Sequence, residues 1–243
     1  GIKDGYDFYL KVGPLKNLTQ NFHHDNFFWQ QIVDHPNYDD FWQKRNLLPH
    51  LNNIKHAVMT VGGWFDAEDL YGPLNIYKTI EETSPDAHNT LVMGPWGHGD
   101  WASEKGKSVH NHIYFGDSIS TFYQREIESR FFAFYLKGEG VRNFPEAYLF
   151  DTGKKEWKQF EVWPPKDVAP LRLYFGQNGR LSINEATDEQ TKFEYISDPS
   201  KPVPYTSEIE ALTFTPRRFM SDDQRDASSR PDVLTFETTI LTE

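Results

Sequence analysis

The sequence predicts an α/β layer followed by an all-β section, on three observations. Two compact apolar runs, 56–61 and 90–93, each break into a glycine-rich turn. The segment between them carries Leu70, Leu74, Tyr77 and Ile80 at helical intervals. Past Phe144-Pro145 the pattern changes to short aromatic and β-branched runs separated by turn residues.

Taken in order, residues 1–52 read as helical and irregular. Asp25 is placed to cap a short helix holding Phe27, Phe28, Ile32 and Val33. Pro36 suits the first turn of another, in which Tyr38, Phe41, Trp42 and Arg45 share one face. Residues 53–144 form the α/β section. A strand, helix, strand unit is normally a right-handed crossover between parallel strands. Its last helix is expected over 120–137, with Ile127, Phe131, Phe134 and Tyr135 on one side and Gly138 in the left-handed closing position. From 145 to 243 strands are expected at 148–150, 157–162, 171–175, 193–196, 212–215 and 233–241, with turns at Asp151-Thr152-Gly153 and Gly176 to Gly179. A β-sandwich, incomplete at its end, fits this section better than continued alternation.

Composition excludes several function classes. With 243 residues and 37% of them hydrophobic, the chain can build a core. A net charge of −11, with only Lys154-Lys155 and Arg217-Arg218 as basic pairs, leaves no basic face for nucleic acid. No window approaches the length of an apolar membrane span. With no cysteine there is no disulfide, thiolate metal site or cysteine nucleophile. His23-His24-Asp25 and His110-Asn111-His112 look superficially metal-like, yet neither supplies a full ligand set, so no metal or other cofactor is expected.

The chemistry concentrates in Gly62-Gly63-Trp64-Phe65-Asp66-Ala67-Glu68-Asp69 and Gly94-Pro95-Trp96-Gly97-His98. Parallel strands bring their carboxyl ends to one edge of the sheet, where open α/β sheets bind ligands. Asp66 and His98, 32 residues apart, are therefore expected side by side there. That pairing is two thirds of a Ser-His-Asp triad; the bland alternative is that both merely end strands in hydrogen-bonded turns. In α/β-hydrolases the serine precedes the acid and sits on a Gly-x-Ser-x-Gly turn. No serine occurs before Ser84, and none has that setting. Ser118, in Gly116-Asp117-Ser118-Ile119, lies after His98 and suits a loop leading into a helix. The nucleophile is accordingly expected upstream of residue 1, making the chain the carboxyl-terminal part of a larger hydrolase, inactive alone.

Both motifs resemble those of the cocaine esterase / X-prolyl dipeptidyl peptidase group of serine hydrolases. More narrowly they resemble the α-amino acid ester hydrolases, also called glutaryl-7-aminocephalosporanic acid acylases. That family carries its acid in Gly-Trp-(Tyr/Phe)-Asp and its histidine in Gly-Pro-Trp-x-His, with a Glu-Asp pair just after the acid, where Glu68-Asp69 stands here. The likeness continues through Phe115-Gly116, Phe134-Tyr135-Leu136-Lys137-Gly138 and Arg230-Pro231-Asp232-Val233-Leu234.

The resemblance implies a fold and an activity. Residues 1–52 would end a helical cap, 53–144 would be the carboxyl-terminal half of an α/β-hydrolase sheet, and 145–243 a jelly-roll-like β-sandwich. Asp66 and His98 would be catalytic, while Glu68 and Asp69 would hold a substrate's α-ammonium group. On the residues alone, that pair better suits the acidic start of the helix it precedes, and both roles can hold at once. The expected activity is cleavage of small esters and amides of α-amino acids, including β-lactam side chains, through an acyl-enzyme. Two alternatives stay open: an X-prolyl dipeptidyl peptidase or general esterase of the same group, and a β-sandwich ligand-binding module on a degenerate hydrolase scaffold. Export to the periplasm or beyond is common in such families; association of like chains is left open.

Overall fold

The computed structural model of the chain describes residues 1–22, 25–103, 108–109, 113–185, 192–211 and 217–240. The metal-like histidines at 23–24 and 110–112 and the strand expected over 212–215 lie outside them. The chain divides into two compact units, one of Lys11–Pro165 with Thr213–Ser221, the other of Gly1–Leu10, Lys166–Leu212 and Asp222–Glu243. Among the described residues no helix is long and apolar enough to cross a membrane.

The first unit is built on a four-stranded sheet. Strand β1 (Val58–Gly63) and strand β2 (Asn89–Gly94) pair in parallel, from Val58 opposite Asn89 to Gly63 opposite Gly94. Helix α3 (Tyr71–Thr83) makes the crossover. Shorter helices precede it, among them α1 (Phe27–Asp34) and α2 (Asp40–Gln43), after a first helical segment at Gly5–Val12. Asn26, not Asp25, caps α1, its carboxamide oxygen accepting from the Trp29 amide at 3.0 Å. α2 starts later than Pro36 suggests, because Asp39 accepts from the Phe41 amide at 3.0 Å and fixes the first turn there.

Every residue of β2 is buried, since both faces of the sheet are covered. Leu91 and Met93 meet Tyr77 and Leu74 of α3 on one face. On the other, Val92 meets Ile119, Tyr123 and Ile127 of helix α4, a helical run from Ile119 to Lys137. α4 alternates ordinary turns with wider five-residue-spaced turns at Tyr123–Glu128 and Ala133–Lys137. Its apolar stripe therefore drifts: Ile127 and Phe131 are buried, while Phe134 and Tyr135 are only half-buried. Gly138 closes the helix at φ +69°, its amide donating to the Phe134 carbonyl at 3.0 Å.

The sheet does not stop at residue 144. Strand β3 (Ala147–Asp151) pairs in parallel with β2, and β4 (Glu156–Phe160) returns antiparallel beside it, giving the order β1-β2-β3-β4. The boundary expected at 145 falls inside this sheet. Ala147 and Leu149 point to the α3 face, Tyr148 and Phe150 to the α4 face. A strand buried on both sides belongs to the α/β layer. The following loop is pinned at Glu146, whose Oε1 accepts from the Tyr77 hydroxyl and, at 3.0 Å, from the Trp163 amide. Burial, then the hydrogen bond to Glu146 and that carboxylate's charge, push the Tyr77 phenol well above its ordinary range.

Among its described residues the second unit holds one hairpin, strands β5 (Tyr174–Gly176) and β6 (Arg180–Ser182), around the expected Gly176–Gly179 turn. Glu237 bridges to it, accepting from the Leu181 amide at 2.7 Å and donating to the Gly179 carbonyl at 2.8 Å. Phe236 packs on Phe175 and Phe193. The strand expected over 193–196 does not form: Tyr195 and Ile196 stand exposed, and no described residue offers that segment a ladder. The strand expected over 233–241 is reduced to the single bridge at Glu237. Gly1–Leu10 belongs here as well, through the Gly5 amide on the Glu210 carbonyl (2.8 Å) and the Tyr6 hydroxyl on the Pro202 carbonyl (2.7 Å).

Candidate active site

The site lies wholly in the first unit, at the carboxyl ends of β1 and β2. Because Gly63 and Gly94 are paired, the two turns leave the sheet together. The ladder then runs on into them. The Trp64 amide donates to the Gly94 carbonyl at 2.9 Å and the Phe65 amide to the Trp96 carbonyl at 3.0 Å. Side chains do not fit in this crossing. A β-carbon on Gly94 would fall 2.3 Å from the Trp96 ring. The two turns thus converge on Asp66 and His98.

His98 Nδ1 lies 3.0 Å from Asp66 Oδ2 and 3.3 Å from Oδ1. The Asp66 side chain is 2% exposed, against 45% for His98. A buried carboxylate needs donors to offset its lost hydration. Asp66 Oδ1 receives two besides the imidazole, the amides of Glu68 at 2.9 Å and Asp69 at 3.1 Å. These bonds fix the carboxylate plane, and the carboxylate in turn favours the imidazole tautomer protonated at Nδ1. Nε2 is then the basic nitrogen, on the far side of a ring that is nearly half exposed. Such an arrangement can take a proton from a hydroxyl and hold the resulting imidazolium.

Glu68 and Asp69 follow directly and are exposed. Their backbone amides serve Asp66, while Asp69 Oδ1 accepts from the Gly72 amide at 3.2 Å, in the first turn of α3. Asp69 is thus tied to the start of the helix it precedes, the placement open to this pair on the residues alone. Ser118 stands at φ +59° just before α4, as a residue leading into a helix.

Reading the sequence missed the groups behind His98. Asp100 Oδ2 accepts from the Gly97 amide at 3.1 Å, and the Asp100 amide donates to the Gly97 carbonyl at 3.3 Å. Ser120, fully buried at the start of α4, accepts from Trp96 Nε1 at 2.9 Å and donates to the Asp100 carbonyl at 3.0 Å. The one local signal was Gly97-His98-Gly99-Asp100, a spacing in which an aspartate can close a turn on itself.

Residues 9–100 match the model of the X-Pro dipeptidyl-peptidase (S15 family). The chain is similar to cocaine esterase of Rhodococcus sp. (strain MB1 Bresler), 26% identical over 226 residues, which cover 88% of this chain and 37% of the esterase. An α-amino acid ester hydrolase structure superposes with TM-score 0.89 at 28% identity, over 100% of this chain and 41% of that one. An aminopeptidase from the marine sediment archaeon Thaumarchaeota archaeon superposes with TM-score 0.87 at 30% identity, over 96% and 39%. The chain thus spans about two fifths of the length of these relatives.

Proposed function

We propose, from the premise that the chain belongs to the cocaine esterase / X-prolyl dipeptidyl peptidase group, that it supplies the histidine and the acid of a serine hydrolase acting on small esters and amides. The observation that carries this is the 3.0 Å contact between His98 Nδ1 and a buried Asp66 at the ends of two parallel strands. His98 would take the proton of a serine hydroxyl as general base and return it to the leaving group. Asp66 would hold the imidazole and stabilise its cation. The serine and the oxyanion donors would come from outside these residues, since no serine of the chain has the required setting. The substrates would be α-amino acid esters and amides, including β-lactam side chains, with Glu68 and Asp69 meeting the α-ammonium group. Their exposure one turn from Asp66 supports that role. A jelly-roll-like sandwich over the carboxyl-terminal section belongs to the same reading, supported by the β5–β6 hairpin and its Glu237 bridge.

The match to the X-Pro dipeptidyl-peptidase (S15 family) model favours a second reading, in which the α-ammonium group is that of a dipeptide amino terminus. The test is steady-state hydrolysis of alanyl and propionyl p-nitrophenyl esters and of an Ala-Pro anilide by the full-length protein. His98→Ala should abolish turnover of whichever substrate is cleaved. Preference for the anilide selects the peptidase reading. Turnover by the 243-residue chain alone, lost in His98→Ala, would overturn the placement of the nucleophile elsewhere.

A further inference from the structure

The turn carrying His98 is closed by a device that the acid–base pair alone does not explain. His98 and Gly99 are enclosed between Gly97 and Asp100, which bond each other twice, amide to carboxylate and amide to carbonyl. Gly99 permits this tight turn by adopting φ +73°. The Asp100 carbonyl is then held from the opposite side by the Ser120 hydroxyl, and Ser120 is itself held by the indole of Trp96, two residues before His98. Trp96 and Ser120 are fully buried, so neither partner can be exchanged for water. The Ser103 hydroxyl also donates to the Asp100 carbonyl at 3.2 Å. The imidazole, in contrast, is almost half exposed, and Asp66 holds it at 3.0 Å on the sheet side.

We infer that Asp100 and Ser120 are positioning residues, clamping the Gly97–Asp100 turn so that His98 Nδ1 stays on Asp66. This rests on the hydrolase reading for its meaning, but the clamp and the reading can fail separately. A histidine held only by its own side-chain bond would sample other rotamers, and small displacements of a proton-transfer group cost rate steeply. Here the backbone of the histidine is fixed from α4, an element anchored deep in the core.

The test reads the imidazole directly. In the full-length protein, the His98 Nδ1 proton bonded to Asp66 is followed by low-temperature proton and nitrogen NMR, with Trp fluorescence melting as the check on folding. In Asp100→Ala the resonance should vanish or exchange at least tenfold faster, while Asp100→Asn, which keeps an acceptor for the Gly97 amide, should retain it. Ser120→Ala should behave as Asp100→Ala does. In the unmodified chain the Gly97 amide shift should follow the titration of the Asp100 carboxyl. That measurement decides the matter even where the alanine variants do not fold, because a Gly97 amide indifferent to Asp100 overturns the clamp. So does an alanine variant that folds and keeps the resonance, or an Asn variant that loses it. Absence of any Nδ1 resonance in the unmodified chain, or its presence after Asp66→Ala, would instead sink the His98–Asp66 pairing on which the hydrolase reading stands.

Discussion

Gly63 and Trp96 touch backbone to backbone: a β-carbon on Gly63 would lie 2.2 Å from the Trp96 carbonyl oxygen and 2.7 Å from its carbon. Neither atom can swing aside as a flexible side chain would. The same carbonyl accepts from the Phe65 amide, so the contact is part of the joint that holds the two site turns together. Gly63→Ala should therefore cost stability at the upper end of the roughly 1–3 kcal/mol seen for overpacking. Urea denaturation followed by Trp fluorescence measures it. The His98 Nδ1 resonance should shift in the same variant; an alanine accommodated without either effect would show that the crossing has slack.

Asp66→Asn should separate geometry from chemistry. The carboxamide oxygen can still accept the Glu68 and Asp69 amides, but an NH2 group then faces His98 Nδ1. The imidazole must turn its proton to Nε2, which leaves the wrong nitrogen basic. In the full-length protein the hydrolase reading predicts a fall in kcat of about 10⁴, the loss known for the equivalent change in a serine protease. The thermal midpoint should barely move. A large loss of stability with residual activity intact would make Asp66 a structural residue only.

How much of this was legible in the sequence depends on the range of the interactions. The convergence of Asp66 and His98 was readable because crossover handedness and parallel register are local consequences of one strand, helix, strand unit. The site turns carry their own punctuation, Gly62-Gly63 and Gly94, close to the residues they position. The β2–β3 pairing was not readable. Ala147–Asp151 looks the same whether its hairpin sits in a sandwich or on the edge of an α/β sheet, and only the faces it meets, α3 and α4, decide between them. The clamp behind His98 was hidden for a similar reason. Ser120 lies 20 residues from Asp100 and 24 from Trp96, and no periodicity links a helix start to a turn that far away. Caps were nearly legible, with Asn26 preferred to its neighbour Asp25 by one position.

Glu68 and Asp69 should govern substrate choice rather than rate. Charge-assisted hydrogen bonds contribute about 1.5–3 kcal/mol, so losing one to the α-ammonium group predicts a rise in KM of roughly 10- to 100-fold, using 1.4 kcal/mol per decade. Glu68→Gln and Asp69→Asn should show this with an alanyl ester and not with the propionyl ester. Asn at 69 keeps an oxygen for the Gly72 amide, which protects the first turn of α3. Equal effects on both esters would remove the pair from recognition and leave Asp69 as a cap.

Away from the site, Glu81 gives the fold a pH dependence of defined sign. Burial raises its carboxyl above the ordinary value of 4.5, and the nearby Glu146 charge adds to this, against a lowering bond from the Asn89 carboxamide at 2.9 Å. A carboxyl that binds its proton more tightly folded than unfolded makes the folded state more stable at low pH. That advantage is complete below the unfolded value and is lost as pH rises through the raised folded one. The penalty of burying the ionised Glu81 carboxylate therefore grows as pH rises through its raised folded value. Glu81→Gln removes the charge and keeps an oxygen for Asn89. It should stabilise the chain at pH 7 and make no difference near pH 4, as read from urea midpoints at the two values. A variant less stable than the parent at pH 7 would mean that the Asn89 bond to a charged partner outweighs the cost of burying it.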